Sequence, residues 1–136
     1  MFNTILVPID MAHLAEGKAT IDIAVKQADA GAKIILLNVV EDIPTWAAVE
    51  LPVNLVDTSL QTARNELQAI ANASGVSMVA EARTGHPYKT ILQVADEKQV
   101  DLIIVASHQP GLQDYFLGST AAKVVRHAQC SVMVIR

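Results

Sequence analysis

A chain of 136 residues, 51% hydrophobic and 18% charged, is long enough to bury a full core and too apolar to be disordered. A formal net charge of -4 with no clustered basic stretch excludes a nucleic-acid-binding surface, and no apolar run reaches the roughly 18 residues that membrane insertion needs. The lone Cys130 excludes an internal disulfide, and with no basic-then-apolar leader the chain is expected to be cytoplasmic.

The first run, TILVPI (4–9), is nearly continuous in Ile, Leu and Val, as expected of a parallel strand covered by helices on both faces. Asp10 stands at its end. Ile21, Ala24, Val25 and Ala28 follow i, i+3, i+4, i+7 and predict a helix that Gly31 stops. KIILLNVV (33–40) is a second buried strand, followed by a Pro-flanked loop anchored by Trp46. Val56, Leu60, Ala63, Leu67 and Ile70 form an amphipathic stripe closed by Gly75. VSMVAEAR (76–83) alternates apolar with polar and suits an edge strand. PYKTILQVADEKQ (87–99) opens a helix with Pro87, whose missing N–H costs nothing in a first turn. DLIIVAS (101–107) is the fourth buried strand. After a turn at Pro110 and Gly111, a last helix runs from about Thr120 to His127, with Ser119 as its N-cap. SVMVIR (131–136) is the last strand.

Strands alternating with helices define an α/β fold, here a single domain over residues 1–136. Its expected architecture is a five-stranded parallel sheet in the order 3-2-1-4-5 with helices on both faces. Ligands in such sheets bind beyond the carboxyl ends of the strands where the order reverses, between the first and fourth. That rule selects Pro8, Ile9 and Asp10, together with the loop after the fourth strand. The step Gly118-Ser119-Thr120 opens the last helix with small residues behind it, and a helix start with open N–H groups attracts phosphate. An ordinary capped helix has the same residues. Asp10 is suited to a ribose hydroxyl or a phosphate-bound metal, or simply to capping a loop. His108 reads as a polar loop residue, and His13, His86 and His127 lack the spacing of a metal set. Cys130, in an apolar setting, reads as a small core residue. The chain has neither the phosphate-binding G-x-x-x-x-G-K-[ST] nor a G-x-G-x-x-G after the first strand.

TILVPID, LLNVV, DLIIVASH and LGSTAAKVVRHAQCSVMVIR together resemble the universal stress protein family, across essentially the whole chain. The resemblance implies a five-stranded α/β sandwich of adenine-nucleotide-binding type and ATP bound through the pattern G-x-x-G, nine residues, G-[ST]. Carried onto this chain, the pattern implies Asp10 at the first strand and Val39 as the adenine contact. The loop positions are Ala106, Ser107, His108 and Gln109, and the helix start is Gly118, Ser119 and Thr120. The sequence departs from the pattern: Ala106 and Gln109 replace the two glycines, and the spacer from 110 to 117 is eight residues long. Ser107, His108 and Pro110 instead resemble a subgroup with Ser-[His/Arg]-x-Pro, within which nucleotide binding is known.

The expected function is therefore an ATP- or adenine-nucleotide-binding stress-response or regulatory protein with little or no hydrolysis. Mg²⁺ would arrive with the nucleotide near Asp10, and no other metal or catalytic residue is expected. Two alternatives stand beside it. One is a Mg-dependent ATP hydrolase or nucleotidyl-transfer enzyme, against which the stretch 106–120 offers no Lys or Arg. The other is a nucleotide-free protein-interaction domain, if loss of the glycines closes the pocket. The last strand, with Val132, Met133, Val134 and Ile135, is an unblunted sheet edge and predicts a homodimer, as the resemblance also implies. A further protein partner is expected without the sequence identifying it.

Overall fold

The computed structural model describes residues 1–41, 55–107 and 118–136. In chain order these form β1 (Phe2–Pro8), α1 (Leu14–Gln27), β2 (Ala28–Val40), α2 (Leu55–Ala73), β3 (Met78–Thr84), α3 (Pro87–Glu97), β4 (Leu102–Ala106), α4 (Ser119–His127) and β5 (Ser131–Ile135). The strands make one parallel sheet in the order β3-β2-β1-β4-β5, as expected. From β1 the chain steps one way to β2 and β3, then crosses back to β4 and β5. Crossovers of a single hand then place the helices of the two halves on opposite faces.

The core follows that division. Ile5, Val7, Ile34, Leu36, Leu102 and Ile104 point to one face, where Ile21 and Ala24 of α1 and Leu67 and Ala71 of α2 cover them. Leu6, Ile35, Leu37, Ile103 and Val105 point to the other, under Ile91 and Val94 of α3 and Ala121 and Val124 of α4. Burial on both faces is why these strands read as continuous apolar runs rather than alternating ones. Each fully buried Ile or Leu contributes about 1.5–3 kcal/mol relative to exposure. In β5 the side chains from Val132 to Ile135 are half-buried, as befits an edge.

Two local expectations are corrected. Gly31 does not stop α1, which ends four residues earlier, with Ala28 as an extended C-cap. Gly31 instead lies in β2 with φ +80, where the register jumps from Phe2↔Ala28 to Thr4↔Lys33. The extra β2 residues bulge out of the ladder, and the left-handed glycine turns them. Likewise Ser119 is not the N-cap of the last helix. Gly118 holds that position at φ -55 and ψ 151, Ser119 is the first helical residue, and no side chain caps the turn. Gly75, with φ +74, closes α2 as expected. The loop around Trp46 and the turn at Pro110 and Gly111 lie outside the described residues.

Candidate functional site

A cleft of about 430 Å³ opens at the carboxyl ends of β1 and β4, where the strand order reverses. β1 contains the cause of the opening. Ile9 donates its N–H to the Leu37 carbonyl of β2 at 2.8 Å, so strand alternation turns the backbone of Pro8 toward β4. Proline has no N–H to give there. The β1–β4 ladder pairs only Ile5↔Leu102 and Leu6↔Ile103, whereas β1 pairs with β2 as far as Pro8↔Leu37. The two strands part, and Pro8, Val105 and Ala106 line the gap.

The floor is apolar, made by Leu37 and Val39 of β2, Ile91 of α3 and Ala121 of α4. Asp10 stands at the rim, exposed, its Oδ1 accepting the Ala12 N–H at 2.9 Å in a turn that leads into α1. The N–H of His13 bonds the Asp10 carbonyl at 2.9 Å and extends that turn. α1 contributes Glu16 and Gly17 to the wall. Gly17 packs closely there: a Cβ would lie 3.2 Å from both Cδ1 and Cγ2 of Ile9, which would have to give by a few tenths of an ångström. With Glu41, the described lining carries three carboxylates and the His13 ring, and no Lys or Arg.

Of the residues selected from sequence, Pro8, Ile9, Asp10, Val39, Ala106 and Thr120 converge on this cleft. Ser107, Gly118 and Ser119 are their chain neighbours but do not line it. The Ser107 N–H bonds the Ile135 carbonyl at 2.8 Å, tying the end of β4 to β5. His108 and Gln109 lie outside the described residues. The cleft also uses residues that sequence reasoning missed, notably His13, Glu16 and Gly17 of the β1–α1 turn and Glu41 after β2. The turn follows directly on Asp10, and that adjacency was the available signal.

Elsewhere, burial pushes the Cys130 thiol up, so at neutral pH it is a protonated, half-buried packing group. Among the described residues no group of three or more His, Cys, Asp or Glu is placed to hold a metal ion. No described helix is long and apolar enough to cross a membrane.

Strand order and cleft together define an open parallel α/β domain with a cleft at its switch point. Comparison of sequences then gives the family. A universal stress protein family model matches residues 1–136, and the chain belongs to that family. A universal stress protein of Methanocaldococcus jannaschii is 30% identical over all of this chain and 83% of its own length. One from Thermus aquaticus is 30% identical over the whole of both chains. Among solved structures, the universal stress protein UspA from Lactobacillus plantarum superposes with a TM-score of 0.76 at 29% identity, over 98% of this chain and 97% of its own. The fold is shared by two more distant structures. One is a universal stress protein in complex with cAMP, at 22% identity and TM-score 0.67, over 99% of this chain and 97% of its own. The other is an Arabidopsis thaliana family member with AMP bound, at 21% identity and TM-score 0.66, over 98% of this chain and 90% of its own.

Proposed function

We propose that this chain binds an adenine nucleotide in the switch-point cleft and serves as a stress-response regulatory protein, a binder rather than a hydrolase. The observation that carries the reading is the convergence of Asp10, Val39, Ala106 and Thr120 on one cleft of about 430 Å³, a volume within the range of small-molecule sites. The base lies on the apolar floor at Val39, and the phosphates run between Asp10 and Thr120 at the open first turn of α4. The bound cAMP and AMP of the two distant relatives support an adenine ligand. Three carboxylates and no cation in the described lining repel a bare triphosphate, so ATP enters with Mg²⁺. One carboxylate plus phosphate oxygens is an ordinary Mg²⁺ ligand set, and Asp10 supplies the carboxylate.

Titration calorimetry tests the reading. Mg-ATP binds the wild type, chelation of Mg²⁺ weakens ATP far more than AMP, and Gly118→Val, just outside the cleft lining at the start of α4, weakens ATP binding by crowding the phosphates at that helix start. Gly118 has an ordinary φ of -55, a backbone conformation that valine also adopts. No binding of ATP at millimolar concentration would favour the nucleotide-free interaction domain. Turnover stays below roughly one per minute, against about 10 per second for a typical enzyme. Robust phosphate release that disappears in Asp10→Asn would instead establish the hydrolase. We further propose that the protein is a homodimer joined through β5.

A further inference from the structure

The side chain of Asn38 is 8% exposed, one of few polar groups buried in this aliphatic sheet. Strand alternation sends its neighbours Leu37 and Val39 to the cleft floor and Asn38 to the opposite face. From there its Nδ2 donates to the Ile9 carbonyl at 2.9 Å, a buried bond across 29 positions of sequence. Ile9 thus presents both backbone groups to β2, its N–H to Leu37 and its carbonyl to the Asn38 amide. The Ile9 carbonyl and the Asp10 N–H belong to one rigid peptide plane. Holding the carbonyl therefore fixes the direction in which the chain enters Asp10, just beyond the point where Pro8 ends the ladder to β4.

We infer that Asn38 is the positioning residue of the cleft: it touches no ligand and sets the Ile9–Asp10 peptide from which the Asp10 carboxylate projects. The inference rests on the nucleotide reading for its effect on affinity, but not for its effect on the peptide. A purely packing role would weaken every state of the protein alike. A positioning role acts through Asp10 and vanishes when Asp10 is gone.

The test is a double-mutant cycle with a ligand-independent companion. Asn38→Asp keeps the shape and replaces the donor by an acceptor facing a carbonyl. In calorimetry with Mg-ATP it raises Kd about tenfold in the wild-type background, the scale of one lost buried hydrogen bond. In an Asp10→Ala background the same change raises Kd less than about twofold, because the coupled group is missing. In the ligand-free protein, amide hydrogen exchange quickens at Ala12 and His13, whose N–H groups bond Asp10, while Ile34 to Leu36 keep their protection. Equal losses in both backgrounds, or unchanged exchange at Ala12 and His13, would overturn the assignment. If the wild type binds no nucleotide the ligand reading fails, and the exchange measurement still decides the role of Asn38. Asn38→Ala, which removes the donor without adding charge, serves if Asn38→Asp does not fold.

Discussion

Asp101 closes the end of the sheet farthest from the cleft. Its two carboxylate oxygens accept the N–H groups of Asn3 at 2.8 Å and Thr4 at 2.9 Å, so the start of β4 clamps the start of β1. Burial opposes ionisation there. The N–H groups of Asn3, Thr4 and Asp101 itself, with the N-terminal ammonium, outweigh burial and hold the carboxyl below the usual range. A depressed folded-state pKa means the stabilisation is fully present above the unfolded value of about 3.9 and is lost as pH falls through the lower folded value. Asp101→Asn is therefore less stable than wild type at pH 7, since an amide oxygen replaces only part of the clamp. The gap in Tm begins to narrow as pH drops below about 4, where the unfolded carboxyl takes up its proton, and closes only once pH passes the lower folded value and the folded wild-type carboxyl is neutral as well. Thermal melts of both proteins from pH 2 to pH 7 check this, and a gap that persists unchanged at pH 2 would contradict it.

Gly85 joins β3 to α3, and its constraint is steric as well as conformational. Its φ is +145, its N–H bonds the Val40 carbonyl at 3.0 Å, and a Cβ would lie 2.5 Å from Oγ1 of the buried Thr90. Threonine in a helix has few rotamers to retreat into. Gly85→Ala should cost about 2–3 kcal/mol in urea unfolding, and adding Thr90→Ala should recover only part, because the φ penalty remains. Such junctions mark the boundary of what the sequence made legible. Strand order and both helix layers were readable because aliphatic runs separated by amphipathic stripes admit few topologies. Gly31 and Ser119 were misplaced because glycine turns both helix ends and bulges, and glycine and serine both cap helices; φ and ψ decide, not residue type. Asp10, Val39, Ala106 and Thr120 were found through strand ends and the family pattern. His13, Glu16 and Gly17 were not, because helical periodicity tells which face of α1 is buried but not which of its turns meets the cleft.

The two edges of the sheet are treated differently. On β3, Arg83 pairs with Glu81 and, across to α3, with Glu97, and both partners raise its pKa further. Charges on an edge discourage added strands. β5 carries none between Val132 and Ile135. Ile135 turns its carbonyl to Ser107, so alternation points the backbone groups of Val134 and Val132 away from β4. A second copy running antiparallel about a two-fold axis satisfies both sets. Sedimentation equilibrium at tens of micromolar should give about twice the 14.6 kDa chain mass. Val134→Pro, which deletes an outward N–H rather than one of the ladder, should give a monomer. A wild type sedimenting as a single 14.6 kDa species would exclude the dimer.

The central place of β1 also has a cost in time. It is made early, yet its neighbour on one side comes late, for Asn3 and Asp101 are 98 positions apart. At about 5–20 residues per second, a ribosome takes roughly five to twenty seconds to deliver β4 after β1. Throughout that interval β1 can pair with β2 alone, and the flank bearing Ile5 and Leu6 is an open strand edge in a growing chain. A protein whose family is named for stress thus passes through synthesis with an apolar strand edge unpaired, and nascent chains halted before residue 101 are where a chaperone should be found bound.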